Sequence, residues 1–322
     1  MTKKHSTLLG LAIGDALGQP FEFSSTLNII KSGWDGGMQY GDVWKLKAGQ
    51  WTDDTKMALC IAESLLERRK FDSTDLGQKY IAWVKTGDTR GIGATCHQSI
   101  SKIERGMPVK KITSPFQSNF LQLKQIYEDD SDLYGIGDFC GNGTVMRCAP
   151  IGLFFHNDEE ARNQAAIADA TMTHDHADAR DSSKFLCSVI ADLANDWDIR
   201  GAIDNAMAKE YEYDHVPRLV RKAIDLADDS NSNFAHAIEL GNSGTAHGTL
   251  ATAVYSCLKY TSFKEAVTAS VLIGGDTDTR AAVVGAIAGT AYGLRGIPAE
   301  WVEVLEDSDR LQEIDTRLYE SG

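Results

Sequence analysis

The sequence predicts an all-α fold, and three observations support that prediction. Apolar residues recur at helical spacing along most of the 322-residue chain. No segment shows the strict apolar–polar alternation of a half-buried strand. Several helical segments carry alanine, glycine and other small residues on more than one face, which favours close-packed helices inside a large bundle. Because no stretch has the composition of a linker, we expect one domain covering residues 1–322.

The first strongly periodic segment spans residues 55–69, where Met57, Cys60, Ile61 and Leu65 share one helical face. It ends in basic residues, which the C-terminal end of a helix favours. Further helices are predicted after short turns that carry Gly, Asp, Asn or Pro, at residues 75–85, 159–172, 179–196, 248–259, 263–273 and 279–293.

The glycines of the last predicted helix, Gly285, Gly289 and Gly293, recur every fourth residue. Tight packing in a soluble core explains them better than a membrane dimer motif does, because the longest apolar run, Ala281 to Ala288, is far shorter than the ~20 residues of a membrane span. The N-terminal segment has basic residues before a short apolar stretch. Asp15 and the absence of a small-residue cleavage site argue against a signal peptide.

Charge and cysteine usage exclude several classes of function. The net charge of -14 disfavours a nucleic acid or an anionic membrane as main partner, because both need a basic surface. An anionic substrate would need cations between it and the protein. The six cysteines show no C-x-x-C spacing, which disfavours a zinc site or a disulfide framework and favours a reducing cytoplasm.

Two short segments concentrate side-chain oxygens at the start of apolar helices. Helix capping by Asp and Thr would explain either segment alone. If the two helices are buried neighbours, however, four carboxylates meet in one cleft and repel each other unless cations lie between them. Mg²⁺ and Mn²⁺ prefer about six oxygens and Ca²⁺ six to eight. The six candidate residues are Thr52, Asp53, Asp54, Asp276, Asp278 and Thr279.

Two other motifs could contain the segment GGDTDTR at 274–280. An EF-hand loop starting at Asp276 requires Gly at its sixth position and Glu at its twelfth, where the chain has Ala281 and Ile287. The aspartyl-phosphate phosphatases carry D-x-D-x-T/V after an apolar strand. Arg280 occupies the Thr/Val position here and two glycines precede the first Asp, so a phosphatase is a distant alternative.

Five segments occur in an order and spacing that resemble the ADP-ribosylglycohydrolase family, and within it the bacterial hydrolases that remove ADP-ribose from arginine. They are GLAIGDALGQPFEF (10–23), GQWTDDTKMAL (49–59), GNGTVMRCAPIG (141–152), THDH (173–176) and GGDTDTRAAVVGAIAG (274–289). The resemblance covers residues 8–295. It implies an all-α domain with two Mg²⁺ or Mn²⁺ ions in a central cleft, held by the six oxygen-bearing residues named above.

The resemblance also implies roles around the metals. Glu22 matches an acidic residue near the attacking water or the substrate ribose, and its place between two phenylalanines favours that role over a surface carboxylate. The cations would bind the ribose hydroxyls and activate water, while Glu22 or a metal-bound Asp takes the proton. The implied catalytic residues are therefore Glu22, Asp53 and Asp278.

For the substrate, the resemblance implies contacts from a glycine-rich segment and a histidine. Gly141, Asn142, Gly143 and Thr144 match the segment that lies along ADP-ribose, where glycines let backbone amides approach a pyrophosphate and a following helix N-terminus favours negative charge. A simple turn is the alternative for G-N-G. His174 matches a ligand-side histidine, whereas Asp175 and His176 can serve as a local cap.

The chain departs from the family pattern at two places. Gly91-Ile92-Gly93 stands where many relatives have Asp-Ile-Gly, so an acidic substrate contact is missing or comes from Asp88. His247-Gly248 stands where acidic residues are common. We expect both departures to line the outer pocket, to leave the metal positions intact and to bear on the choice of leaving group.

The resemblance thus predicts a cytoplasmic, metal-dependent hydrolase that removes mono-ADP-ribose from a protein side chain, most readily arginine, and reverses an ADP-ribosyltransferase. Its partners would be an ADP-ribosylated protein and the product ADP-ribose. Hydrolysis of ADP-ribosyl-serine, poly(ADP-ribose) or another ADP-ribose derivative stays open, as does a non-catalytic role like that of the lens crystallins sharing this fold. A regulatory and a toxin-immunity role are equally compatible with the sequence, which leaves the target, the metal and the oligomeric state undetermined.

Overall fold

The structure is a computed structural model and describes residues 5–107 and 140–322. Within these ranges it is built almost entirely from helices, which confirms the all-α prediction. Helices α1 to α15 are, in order, Thr7–Gly18, Thr26–Lys31, Asp53–Arg68, Ser73–Lys85, Ala94–Glu104, Ala149–Phe154, Glu159–Thr173, Ala177–Ala194, Ile199–Met207, His215–Asp228, Ala246–Lys259, Phe263–Leu272, Thr277–Tyr292, Ala299–Val304 and Ser308–Ser321. Short 3₁₀ helices lie at Gln19–Phe21, His236–Leu240 and Leu294–Gly296.

All seven periodic segments form helices, with boundaries within two residues of the predicted ones. One short strand pairing accompanies these helices. Strand β1 (Ser24–Ser25) pairs antiparallel with β2 (Gly274–Gly275), with Ser24 opposite Gly275. Strands of two residues are too short to show periodicity in the sequence. This pairing joins a segment just after Glu22 to the two glycines directly before Asp276.

Helices α1 and α13 lie against each other in the centre of the molecule, and every residue of α1 is buried. Their contact depends on glycine. An added Cβ at Gly14 would overlap the carbonyl oxygen of Ala281, and one at Gly10 would overlap that of Gly285. Gly289 similarly faces the backbone of Ser6. The predicted tight packing of small residues in a protein core is therefore confirmed, because only glycine lets the two backbones approach this closely.

The apolar core is continuous from Leu8 in α1 to Leu318 in α15. All six cysteines are buried free thiols. Within residues 5–107 and 140–322, no helix combines the length and the apolar character needed to cross a bilayer.

Asp315, on α15, caps the start of α1. Its carboxylate accepts hydrogen bonds from the backbone N–H groups of Leu8 at 2.8 Å and Leu9 at 3.0 Å, and the side chain is 1% exposed. Asp315→Ala should lower the free energy of unfolding by about 2 kcal/mol, because two buried donors lose their acceptors. Thermal unfolding should then occur roughly 3 °C lower. The matched control is Glu320→Ala, which removes an exposed carboxyl from the same helix. Equal melting temperatures for the two variants would contradict this capping role.

Candidate active site

A cleft of about 360 Å³ opens where the N-terminal ends of α3, α5 and α13 meet the segment 141–146. Both oxygen-rich segments reach it, although they are more than two hundred residues apart in sequence. Its lining includes the acidic residues Glu22, Asp53, Asp54, Asp276 and Asp278 together with Thr279. Among the described residues that line the cleft, none is a lysine or an arginine.

The two segments meet because α1 and α13 pack together. The hydroxyl of Thr277, at the start of α13, donates to the backbone carbonyl of Gly18 at the end of α1, at 2.7 Å. The Thr279 side chain in turn hydrogen-bonds the Asp54 carboxylate at the start of α3. Arg280 holds the preceding turn in place, because its buried guanidinium donates to the backbone carbonyls of Gly274 at 2.9 Å and Ser270 at 3.2 Å. Burial lowers the pKa of Arg280 to about 10.

Asp15 is a central residue that the sequence interpretation did not assign. Its buried carboxylate accepts from the backbone N–H groups of Thr52 at 2.9 Å and Thr55 at 3.1 Å, and from the Thr55 hydroxyl at 2.6 Å. It therefore caps α3 from α1 and orients the residues next to it. A charged residue inside an otherwise apolar helix was the available signal. Thr52 lies behind the cleft, fully buried, with its hydroxyl 2.9 Å from Asp15 Oδ1 and 3.1 Å from Asp54 Oδ2.

The surroundings of the carboxyl groups in the cleft favour their protonated form. Burial is the larger cause, and repulsion from neighbouring carboxylates the smaller one, that raises the pKa of each of Asp53, Asp54 and Asp278 well above the usual range of an aspartate. Burial also raises the pKa of Glu22 to about 7. The Glu22 carboxylate accepts a hydrogen bond from the Trp44 indole N–H and shares another with Asp278. A bond between two carboxyls requires a proton on one of them.

The donor set suits a hard divalent cation in its chemistry. Every candidate donor is an oxygen, and Asp54 Oδ1 is buried without any hydrogen-bond partner, so it is free to bind a cation. In residues 5–107 and 140–322, however, no group of three or more His, Cys, Asp or Glu side chains is arranged to hold a metal ion. Binding a cation would therefore require the carboxylates to turn toward it.

The glycine-rich segment forms the opposite wall of the cleft. Asn142 donates through Nδ2 to Asp276 Oδ2 at 2.7 Å and to Thr249 Oγ1 at 2.9 Å, which links this wall to the acidic residues. Thr144 is fully buried and does not line the cleft. The helix that follows, α6, begins only at Ala149. The amides beside the cleft thus belong to a turn, which leads through five further residues into this buried helix.

His174 lies against the same wall. An added Cβ at Gly143 would come within 2.8 Å of the imidazole Cε1, and one at Gly141 within 3.2 Å of Nε2. These glycines therefore make room for the imidazole ring as well as for a ligand. Burial, with the nearby Arg147 guanidinium, lowers the pKa of His174 to about 3. The ring is accordingly neutral at physiological pH, and Nδ1 lies 2.9 Å from Thr173 Oγ1.

Of the two departures from the family pattern, one lines the cleft and the other does not. Gly91 lines the cleft at φ 84°, and an added Cβ would come within 2.5 Å of Asp53 Oδ1, so an aspartate would not fit this backbone. Asp88 is exposed, pairs with Arg90 at 3.1 Å and does not replace the missing acid in the cleft. His247 does not line the cleft either, contrary to expectation. Its Nδ1 lies 3.2 Å from the buried Asp178 carboxylate.

Other lining residues were missed because no local motif marks them. Trp44 reaches the cleft from the connection between α2 and α3, and Phe23 reaches it from the residue after Glu22. Cys96, from α5, also lines the cleft, with burial raising the pKa of its thiol to about 12. Only the packing of distant segments brings these side chains to one place.

Comparison with known proteins agrees with this architecture. The family model described as ADP-ribosylglycohydrolase matches residues 3–322. A solved structure titled ADP-ribosylglycohydrolase-related protein complex superposes with a TM-score of 0.71 at 28% sequence identity, covering 98% of this chain and 96% of that one.

Three curated relatives align along nearly the whole chain. The ADP-ribosyl-[dinitrogen reductase] glycohydrolase of Rhodospirillum rubrum is 29% identical over 92% of this chain and 88% of its own length. The ADP-ribosylarginine hydrolase Tri1 of Pseudomonas putida is 24% identical over 99% of this chain and 78% of its own length. The ADP-ribosylhydrolase ARH3 of Danio rerio is 25% identical over 99% of this chain and 90% of its own length.

Proposed function

We propose that this chain, which belongs to the ADP-ribosylglycohydrolase family, removes mono-ADP-ribose from arginine side chains of proteins in a reaction that requires divalent cations. One observation carries the proposal: the cleft is lined by five carboxyl groups and, among its described residues, by no lysine or arginine. Such a cleft attracts a cationic guanidinium leaving group. It accepts the anionic pyrophosphate of ADP-ribose only if cations offset the negative charge.

The cation-binding residues in this proposal are Asp53, Asp54, Asp276, Asp278 and Thr279 in the cleft, with Thr52 behind them. When bound, two Mg²⁺ or Mn²⁺ ions would supply positive charge that holds the ribose hydroxyls and acidifies water. The identity of the ions is open between these two metals.

Glu22 is the proposed base. Its carboxylate lines the cleft, where it can accept a proton from water, and the Trp44 indole fixes its orientation. Attack by water forms a C–O bond at the anomeric carbon and breaks the C–N bond to the guanidine. The departing nitrogen takes up the proton that Glu22 accepted from water, and neighbouring carboxylates such as Asp53 and Asp278 stabilise the positive charge that develops on the sugar.

The wall formed by Gly141, Asn142 and Gly143 would lie along the rest of ADP-ribose. Its glycines leave space for close approach of a pyrophosphate to the backbone, and Thr144 supports the turn from behind. The neutral His174 imidazole can contact the ligand without adding charge. The free, buried thiols are compatible with a reducing cytoplasm as the site of the reaction.

A second linkage stays open, since the relatives named ADP-ribosylhydrolase ARH3, a name that specifies no linkage, match as completely as those named ADP-ribosylarginine hydrolase. Mass spectrometry of peptides ADP-ribosylated on arginine or on serine separates the alternatives. We expect loss of the modification from the arginine peptide with Mg²⁺ or Mn²⁺, no loss with EDTA, and recovery when excess metal is returned. Undiminished turnover in EDTA would contradict the metal dependence. Faster turnover of the serine peptide would assign the other linkage.

A further inference from the structure

Large exposed apolar side chains are concentrated in the segment that follows Glu22. Of the ten such residues in the described part of the chain, five lie between residues 23 and 43. Phe23 is 72% exposed, Leu27 56% and Ile30 53%. Leu27 and Ile30 are neighbours on one face of α2, since residues three apart on a helix point the same way. We call Phe23, Leu27 and Ile30 the apolar patch.

The patch is held rigidly. Phe23 has φ 65°, a left-handed conformation that is unfavourable for a bulky residue. Its backbone N–H donates to the Gly275 carbonyl at 2.8 Å, next to the pairing of β1 with β2. Helix α2 is anchored by the buried Ile29 and by the Thr26 hydroxyl, which donates to the Ile273 carbonyl at 2.8 Å. A strained backbone that exposes an aromatic ring is more typical of a binding surface than of a packing defect.

One member of the patch, Phe23, also lines the cleft, and Leu27 and Ile30 follow it by four and seven residues on α2. Phe23 adjoins the acidic end, where Glu22 and Trp44 lie, rather than the wall of Gly141, Gly143 and His174. If the glycosidic bond is cut beside Glu22, the modified side chain leaves the cleft past Phe23 and Trp44. A cleft of about 360 Å³ is at the small end of ligand pockets, so the polypeptide must stay outside it.

From this geometry we propose that the apolar patch binds the polypeptide that carries the ADP-ribosylated residue. The occupant is a segment of substrate protein with apolar side chains near the modified arginine. This inference rests on the proposed function, and it adds that the enzyme recognises protein as well as the nucleotide sugar. Binding to a preformed apolar surface stabilises the bound substrate and the transition state equally. Loss of this surface should therefore raise KM and leave kcat unchanged.

The test compares a protein substrate with the free modified amino acid. The double variant Leu27→Gln/Ile30→Gln removes apolar surface without adding charge near the acidic cleft. We expect KM for an ADP-ribosylated protein to rise roughly tenfold, with kcat unchanged. We expect kcat/KM for free ADP-ribosyl-arginine to stay at the wild-type value, because neither side chain lines the cleft.

The matched control is Trp197→Gln, which removes an exposed aromatic residue beyond the far end of α8. It should leave both substrates unaffected. An equal loss on both substrates, or no change on either, would overturn the docking role. So would a wild-type dimer in sedimentation equilibrium that the double variant dissociates, because a second copy would then cover the patch. Absence of turnover of both substrates by the wild type would instead refute the proposed function, and this inference with it.

Discussion

Asp53→Ala is expected to reduce hydrolysis of an ADP-ribosylated arginine peptide by roughly 10²–10³-fold or more, as measured by mass spectrometry. Asp53 lines the cleft, and its carboxylate accepts a hydrogen bond from the backbone of Gly93. The variant loses one proposed cation ligand and one negative charge beside the reacting sugar. Asp88→Ala is the matched control: this nearby carboxylate pairs with Arg90 outside the cleft, and activity should remain unchanged.

Thermal unfolding separates this loss of function from misfolding. Without metal, Asp53→Ala should unfold at the wild-type temperature or above it, because one of several mutually repelling buried carboxylates is gone. Added Mn²⁺ should raise the melting temperature of the wild type, since a ligand that binds only the folded state stabilises it. The rise should be smaller in the variant. Unchanged turnover by Asp53→Ala would refute the assignment of the site.

Gly14→Ala is expected to be the most damaging small substitution in the core. In a helix this change alone stabilises by about 0.5–1 kcal/mol. At Gly14 the added methyl overlaps the backbone carbonyl of Ala281, so α1 and α13 must separate. The free energy of unfolding should fall by about 3 kcal/mol, and the melting temperature by roughly 4–5 °C.

Catalysis should fall with stability in this variant, because Asp15 on α1 and Asp278 on α13 lie on either side of the same contact. Gly201→Ala is the matched control. It makes the same change in α9, where an added Cβ has its nearest neighbour at an ordinary 3.4 Å, and it should leave the protein equally or more stable. Equal melting temperatures for the two variants would contradict the importance of the glycine contact.

Most of the fold could be predicted from periodicity, since the long helices carry strong apolar patterns. Two local features of the fold could not be predicted from periodicity. Strands β1 and β2 contain two residues each, too few to show alternation. The two glycines before Asp276 pair with Ser24 and Ser25, and Arg280 donates to the Gly274 carbonyl, which are contacts with no local signature in the sequence.

Part of the lining of the cleft was predictable from residue chemistry, as with the hard oxygens of Asp53, Asp54, Asp276, Asp278 and Thr279. The site was not predictable where a role depends on distant partners. In the sequence, Asp15 is a single charged residue in an apolar segment. In the structure, its carboxylate caps α3. His247 was expected in the outer pocket, whereas it pairs with Asp178 behind the wall. Asn142 contacts Asp276 across 134 positions of sequence.

The sequence by itself determined the helices and the two oxygen-rich helix starts, because helical periodicity and side-chain chemistry are local properties. Only the tertiary structure decided that these starts share a cleft, that Gly91 leaves no space for an acid, and that Phe23 joins the cleft to an exposed apolar surface. The physical reason is the backbone contact of α1 with α13. It permits close approach only at glycine, and so brings residues from both ends of the chain to one place.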